Sequence, residues 1–252
     1  PCADGGALGA GVNLYGCDMT ARVRADICEQ LHLKDPESIV GSFDRPNLVY
    51  RVLPRTDRIR QTCQVLSRHK GESGIIYCIR RKDVESLCAE LVARGHKAAP
   101  YHAGMSAEGR KANQEAFVKE KIDTIVATIA FGMGIDKSNV RYVVHTGMPK
   151  SLEHYQQESG RAGRDGLEAE CTLFYGAADY GVWKSLMSEM EPQARQIALD
   201  KLGEMYSYCT GGVCRHRALL RYFGQDLDKS DCAACDVCLG ELDCMEDSLV
   251  IA

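Results

Sequence analysis

Two arginines near the middle of the chain have the residue type and the spacing to bind a polyphosphate. The pattern is Q-x-x-G-R-x-x-R, formed by Gln157, Gly160, Arg161 and Arg164. On a helix this spacing places both guanidinium groups on one face, and each group is a fork of donors that stays charged at any working pH. The small glycines favour either a turn or close approach by a ligand or a facing domain. The alternative is an exposed helix end whose arginines are only solvated.

Four cysteines further along the chain have the spacing of a metal site, C-x17-C-x2-C-x2-C. They are Cys214, Cys232, Cys235 and Cys238. Gaps of two residues let successive thiolates turn toward one point, and four sulfur ligands fill the tetrahedral shell of a structural zinc ion. Three alternatives stay open at this point: a redox-active C-x-x-C pair, His216 in place of Cys214, and Cys209 in place of Cys214.

The residues that follow Cys214 predict a helix with two different sides. The apolar side would carry Ala218, Leu219 and Tyr222, and the basic side would carry Arg215, Arg217 and Arg221. Because arginine neutralises the phosphates of DNA, Arg215 and Arg217 are candidate nucleic-acid contacts. A solvated basic face would show the same pattern.

The composition is that of an ordinary globular chain. Its 252 residues are 45% hydrophobic, which suffices for a sizeable core. The net charge of -4 gives no overall basic field, so any contact with nucleic acid must come from local grooves. No apolar run approaches the roughly 18 residues of a membrane span, and the first residues lack the positive start of a secretory signal. The missing initiator Met suggests a fragment.

The cysteine count argues against a disulfide scaffold. Of the 13 cysteines, most are scattered singly through periodic or loop segments. Such scattered cysteines are typical of reduced thiols. We therefore expect an intracellular protein.

Short apolar runs alternate regularly with helical periods through most of the chain. Strands are predicted at 48–53, 74–78, 97–101, 124–128, 140–146 and 171–175. Helices are predicted from residue 20, at 56–69, 84–92, 106–119 and 151–163, and in two parts of 177–210 separated near Pro192. This alternation predicts an α/β fold, in which helices cover both faces of a parallel sheet and ligands lie at the carboxyl ends of the strands.

Two loops follow predicted strands and carry polar residues. His102 follows one strand, and the loop 127–136 carries Thr128, Gly132 and Asp136. Hydroxyls and backbone amides there could hold phosphates of a nucleotide or of a nucleic-acid strand. The alternative is a simple strand-to-helix turn whose glycines supply positive φ. The chain lacks the phosphate-loop pattern G-x-x-x-x-G-K-[ST], so it has arginines to stabilise charge but no evident cradle for the nucleotide itself.

Four segments together resemble the second motor lobe of RecQ-type DNA helicases. They are S-F-D-R-P-N-L at 42–48, Y-H-A-G at 101–104, V-A-T-I-A-F-G-M-G-I-D-K at 126–137 and Q-Q-E-S-G-R-A-G-R-D-G at 156–166. The resemblance implies a motor that unwinds DNA in the 3′-to-5′ direction and has two RecA-like lobes, with ATP in the cleft between them. ATP and Mg²⁺ would be held mainly by the first lobe, which we expect to be missing from this sequence.

The resemblance also implies roles in a nucleotide site. Arg164 would be the arginine finger that reaches the γ-phosphate across the cleft. Arg161 and Gln157 would be its neighbours, and Gly132 and Asp136 would belong to the same nucleotide site. We expect the Arg164 side chain to point away from its own lobe.

Further roles follow for the nucleic acid and the metal. By the same resemblance His102, Thr128 and the loop 130–137 would contact the tracked DNA strand or couple it to hydrolysis. The family has a four-cysteine zinc site on this spacing, with the cysteine directly before Arg215 as a ligand. Partners such as a single-strand-binding protein or repair proteins are not readable from the sequence.

We therefore predict four segments and keep two rival functions open. The segments are a remnant of the preceding lobe at 1–40, a RecA-like lobe at 41–190, a helical zinc module at 191–241 and the start of a linker at 242–252. Pro46 marks the first boundary because it restricts the residue before it to extended geometry. One rival is a non-catalytic, zinc-stabilised nucleic-acid-binding or regulatory module with an inactive motor lobe. The other is an RNA-directed or duplex-translocating relative.

Overall fold

The computed structural model describes residues 21–30, 32, 41–131 and 137–242, and a parallel sheet lies at the centre of these residues. Its strands are β1 (Leu48–Pro54), β2 (Ser73–Tyr77), β3 (Ala98–Tyr101), β4 (Thr124–Ala127), β5 (Val140–His145) and β6 (Ala169–Tyr175). Their order in the sheet is β1-β6-β5-β2-β4-β3, and every neighbouring pair is parallel. The predicted strands and the parallel arrangement are confirmed, with small differences at the strand ends.

Eight helices lie in the described part of the chain, and those after β1 connect and cover the strands. They are α1 (Ala21–Gln30), α2 (Arg58–Arg68), α3 (Arg81–Ala93), α4 (Ala107–Val118), α5 (Leu152–Ser159), α6 (Ala177–Leu186), α7 (Pro192–Thr210) and α8 (Arg215–Tyr222). The side chains of Asp57, Ser106 and Ser151 accept backbone N–H groups and start α2, α4 and α5. The predicted cap Thr20 lies outside the described residues. None of these helices has the length and hydropathy to span a membrane.

The helices lie on both faces of the sheet, as predicted. Along β2, Ile75 and Tyr77 face a core that includes Leu202 of α7, whereas Ile76 faces a second core that includes Leu87 of α3. This division follows from the alternation of side chains along a strand. Each such apolar side chain contributes about 1.5–3 kcal/mol by its removal from water.

The segment around Cys235 pairs with the edge strand β1. The backbone N–H of Tyr50 donates to the carbonyl of Ala234 at 3.1 Å, and the N–H of Asp236 donates to the carbonyl of Tyr50 at 2.9 Å. These bonds cover part of the free edge of the sheet. They also attach the cysteine-rich end of the chain to the α/β lobe. The predicted domain limits at 41–190 and 191–241 stay predictions.

Candidate functional site

The two arginines of the central motif lie in a tight turn after α5. Helix α5 ends directly before Gly160, which is its C-cap residue. The N–H of Gly163 donates to the carbonyl of Val140 at 2.9 Å, which places the turn at the amino end of β5. The helix predicted over 151–163 is therefore confirmed as far as Ser159, whereas Arg161 and Arg164 lie in a turn and not on one face of the helix. Glycine, a poor helix former, ends the helix and lets the chain turn.

The turn concentrates positive charge beside a buried tyrosine. Arg164 is exposed and Arg161 is half-buried. Burial and the carboxylate of Glu158 raise the pKa of the Tyr77 hydroxyl, whereas the guanidinium groups of both arginines act in the opposite direction. Both arginines therefore lie near the end of the Tyr77 side chain. Two guanidinium groups beside the same hydroxyl can share the charge of one polyphosphate.

The residues on either side of the arginines differ in exposure. Gln157 is exposed on α5, as a ligand-contacting residue of this motif should be. Asp165, the acidic residue after Arg164, bonds to Nη2 of Arg141 at 2.6 Å through both carboxylate oxygens. The carboxylate of Asp165 is therefore held by an arginine of β5.

A buried histidine and glutamate fix α5 to the sheet. Nε2 of His145, at the end of β5, lies 2.8 Å from Oε2 of Glu158. The imidazole stacks against the ring of Tyr77 at 5.2 Å and meets the ring of Tyr155 edge-on at 5.1 Å. This pair was not predicted from the sequence. The only available signal was the position of Glu158 inside the arginine motif, because its partner comes from a different element.

The structure brings His102 and Thr128 together at the carboxyl edge of the sheet. His102 follows β3, Thr128 follows β4, and the N–H of Thr128 donates to the carbonyl of Tyr101 at 3.2 Å. Nδ1 of His102 accepts the N–H of Gly104 at 3.1 Å, so its Nε2 carries the proton and donates to Oε1 of Glu85 at 2.6 Å. The ring therefore holds its own loop in place. The backbone of the arginine turn lies at the opposite edge, whereas its guanidinium groups extend toward the Tyr77 hydroxyl.

Phe131 and Lys137, the described residues on either side of the glycine-bearing loop after β4, each bond to another part of the lobe. Gly132 and Asp136 lie outside the described residues. Before them, the carbonyl of Phe131 accepts the hydroxyl of Tyr77 at 3.1 Å. After them, Nζ of Lys137 bonds to Oε1 of Glu120 at 3.0 Å. The start of this loop therefore meets the arginine turn at one tyrosine.

The four predicted cysteines converge on one point. The Sγ atoms of Cys214, Cys232, Cys235 and Cys238 all lie within 4.8 Å of one another. A tetrahedral zinc ion with Zn–S bonds of about 2.3 Å needs sulfurs roughly 3.8 Å apart, so the donor set fits zinc. Backbone N–H groups also point at the sulfurs: Arg215 and Cys238 donate to Cys235, and Ala234 donates to Cys232. Such donors stabilise the thiolate form that binds a metal.

The alternative ligands lie elsewhere. Cys209 is buried in the core, and its thiol is not part of the four-sulfur cluster. The imidazole of His216 is bonded to Oδ1 of Asp44 at 2.9 Å and to the carbonyl of Leu48 at 3.0 Å. Cys214 is therefore the first cysteine of the site, and a lone redox-active pair does not describe four converging thiols.

The helix after Cys214 corrects the prediction of an exposed basic side. Arg215 is only 2% exposed, and its guanidinium donates to the carboxylate of Asp236 and to the carbonyls of Tyr208 and Gly211. It is thus not available to bind a DNA phosphate. Arg217 is half-buried, and its Nη2 donates to two backbone carbonyls of the segment before Cys232, at 2.6 and 2.9 Å. Both arginines hold the zinc module together, because burying a guanidinium requires that its donors be bonded.

Two family models match the chain one after the other. The model described as helicase conserved C-terminal domain matches residues 57–166, and the model described as RecQ zinc-binding matches residues 177–239. The ATP-dependent DNA helicase RecQ of Pasteurella multocida is 45% identical over 217 residues, and that of Bacillus subtilis is 38% identical over 220 residues. The chain belongs to the RecQ family. The four-cysteine cluster is accordingly the zinc site of that family.

These alignments cover most of this chain but a smaller part of the relatives. They include 86% and 87% of the chain, and 34% and 37% of the two RecQ proteins. The chain thus spans about a third of the length of these relatives. A solved structure of Dbp5 from Saccharomyces cerevisiae bound to RNA and ADP BeF3 has a TM-score of 0.54 and 16% identity, covering 73% of this chain and 53% of that one. It supports the RecA-like fold of the lobe in this RecQ family member.

Proposed function

We propose that the chain is the second motor lobe and zinc module of an ATP-dependent DNA helicase that moves in the 3′-to-5′ direction. The observation that carries this proposal is the exposed Arg164 beside the half-buried Arg161, on one turn of a RecQ-family lobe. Arginines placed in this way stabilise the charge that develops on a transferred phosphoryl group. ATP and Mg²⁺ would be held mainly by another lobe, because this sequence carries no phosphate-loop pattern.

The other candidate residues take supporting roles in the proposal. Gln157, Gly132 and Asp136 would complete the nucleotide site around the arginines. His102 and Thr128 are buried, and they would couple the tracked strand to hydrolysis through the loops that they hold at the carboxyl edge of the sheet. The loop that starts after Phe131 would couple the two sites, because the Phe131 carbonyl and the arginine turn meet at Tyr77. The zinc ion is structural, since four thiolates leave no open position for a substrate.

The test is the loss of Arg164 in the full-length protein. Arg164→Ala should lower DNA-stimulated ATP hydrolysis by about 10³ to 10⁵, the contribution of an arginine finger in other phosphoryl-transfer enzymes. The urea midpoint should not change, because the side chain is exposed. Arg60→Ala removes an exposed arginine of α2 and serves as the matched control, which should hydrolyse ATP normally. Hydrolysis by Arg164→Ala at the rate of the control would contradict the proposal.

A non-catalytic nucleic-acid-binding module is the second candidate, because this sequence has no nucleotide cradle of its own. Full-length protein that binds DNA tightly but hydrolyses no ATP with any nucleic acid would favour it. The similarity to an RNA-bound structure makes RNA a necessary substrate in the same assay. Faster unwinding of RNA forks than of DNA forks would favour an RNA-directed motor instead.

A further inference from the structure

Arg45 holds the backbone of the arginine turn. Its Nη1 donates to the carbonyl of Gly160 at 3.2 Å, and its Nη2 donates to the carbonyls of Ala162 and Gly163, both at 2.9 Å. The first two of these carbonyls lie directly before and directly after Arg161, and the third lies directly before Arg164. One guanidinium therefore fixes the path of the chain between the two candidate catalytic arginines.

Asn47, two residues after Arg45, also bonds to the backbone of the arginine turn. Its Nδ2 donates to the carbonyl of Gly163 and to the carbonyl of Leu167, both at 2.9 Å. Gly163 has a φ of 56°, and a Cβ on it would lie 2.4 Å from Nδ2 of Asn47. The close approach of Asn47 therefore requires glycine at this position. Two side chains of one segment converge on a single peptide of the turn.

The chemistry of these contacts favours arginine over any other residue. The carbonyls at the end of α5 carry negative partial charge and have no partner within the helix. A guanidinium can reach three of them at once because its donors are spread over a rigid plane. A lysine would keep the positive charge but offers one point of contact on a flexible stem. Arg45→Lys therefore removes the geometry and keeps the charge.

The segment that carries Arg45 is itself fixed to the zinc module. The ring of Phe43 stacks on Phe223 with centroids 4.7 Å apart and planes 9° from parallel. The side-chain amide of Gln225 bonds to the N–H of Phe43 at 2.8 Å and to the carbonyl of Gly41 at 3.0 Å. The segment 41–47 thus contacts the zinc module on one side and the arginine turn on the other. The turn is held relative to a rigid neighbour.

We propose that Arg45 is a positioning residue for phosphoryl transfer, which sets the direction in which the turn presents Arg161 and Arg164 to the nucleotide. This inference rests on the proposed function, in which those two arginines stabilise the γ-phosphate. Arg45 bonds to backbone carbonyls of the turn, so it acts through the other arginines and not on the substrate. A turn that is released by about 1 Å loses the alignment on which such catalysis depends.

The test compares two arginines of the same region in the full-length protein. Arg45→Lys should lower kcat of DNA-stimulated ATP hydrolysis by about 10²-fold, as expected for a misplacement of about 1 Å. KM for ATP should stay within about twofold, because the nucleotide is bound mainly elsewhere. Arg51→Lys is the matched control: Arg51 lies on β1 and bonds to the carboxylate of Glu241, so this variant should keep the parental kcat. Zinc content should be unchanged in both, and the urea midpoint of Arg45→Lys should fall no further than the loss of its hydrogen bonds to the turn explains.

A double variant separates positioning from general structure. If Arg45 acts through Arg161 and Arg164, Arg45→Lys should cost much less activity in the Arg164→Ala background than in the parent. The proposal is overturned if Arg45→Lys keeps the parental kcat, if its effect adds in full to that of Arg164→Ala, or if zinc or cooperative unfolding is lost together with activity. A failure of the proposed function would give a different result from a failure of this inference. Arg164→Ala alone would then retain hydrolysis, and the basis of this inference would fall with it.

Discussion

Asp236 offers the sharpest test of how the zinc module is joined to the lobe. Its carboxylate bonds to Nε of Arg215 at 2.8 Å and to Nη2 at 3.2 Å. It also accepts the backbone N–H of Val52 in β1 at 2.8 Å and that of Val237 at 2.8 Å. Both charged side chains are almost completely buried. Asp236→Ala therefore leaves a guanidinium charge in the core without its counter-charge.

The size of the effect follows from this burial. Removing one partner of a buried ion pair costs about 3–5 kcal/mol. The N–H of Val52 would lose its acceptor as well, which alone costs about 1–3 kcal/mol in a buried position. The two terms share one carboxylate and do not add in full, so we expect a loss of at least about 3 kcal/mol. Asp236→Asn keeps the shape and an acceptor for Val52, and it should lose less.

The assay is urea unfolding of the zinc-loaded protein. A loss of 3–5 kcal/mol corresponds to a midpoint lower by roughly 1–3 M at a slope of about 2 kcal/mol/M. Asp226→Ala is the control because Asp226 pairs with Arg221 on the surface, and exposed pairs contribute at most about 1 kcal/mol. An Asp236→Ala midpoint equal to that of Asp226→Ala, with an unchanged slope, would refute the reasoning.

Two further predictions concern the metal and the pH dependence of stability. Cys214→Ser should lower the zinc content measured by mass spectrometry, whereas Cys209→Ser should keep it; the reverse result would make Cys209 the ligand in place of Cys214. Burial raises the pKa of Glu170, but hydrogen bonds chiefly from His69 and Arg68 outweigh it and bring the pKa down to about 2. Because this lies below the ordinary value, the stabilisation is complete above about pH 4.5 and is lost as the pH falls toward 2. Glu170→Gln should therefore lower the urea midpoint much more at pH 7 than at pH 2.5, and equal losses at both would contradict this.

Much of the fold was predictable because its signals are local. The strands are short apolar runs, and the helices carry apolar periods that begin at residues such as Asp57 and Ser106. The break before α7 was predictable from Pro192 alone, because proline is favoured in the first turn of a helix. The zinc ligands were predictable because their signal is also local: three of the four cysteines lie within one short stretch.

The remainder depends on contacts between distant parts of the chain. A helical pattern placed Arg215 on a basic side, but it could not show that Asp236 lies within 3 Å in the core. The position at which α5 ends was not predictable, because glycines at 160 and 163 are compatible with both a helix end and a close approach by another group. The motif around Pro46 was interpreted as a boundary, whereas Arg45 and Asn47 in it reach 115 residues or more along the chain to the arginine turn.

The pairing of the Cys235 segment with β1 bears on how the chain can be divided. The predicted limit between residues 190 and 191 crosses a single core, in which Leu202, Met205 and Leu219 pack with residues of the sheet. A truncation at that limit would open the core to water and expose the backbone of Tyr50 along the outer strand. Uncovered strands of this kind join those of other molecules. We therefore expect the RecA-like lobe to aggregate when the segment around Cys235 no longer covers β1.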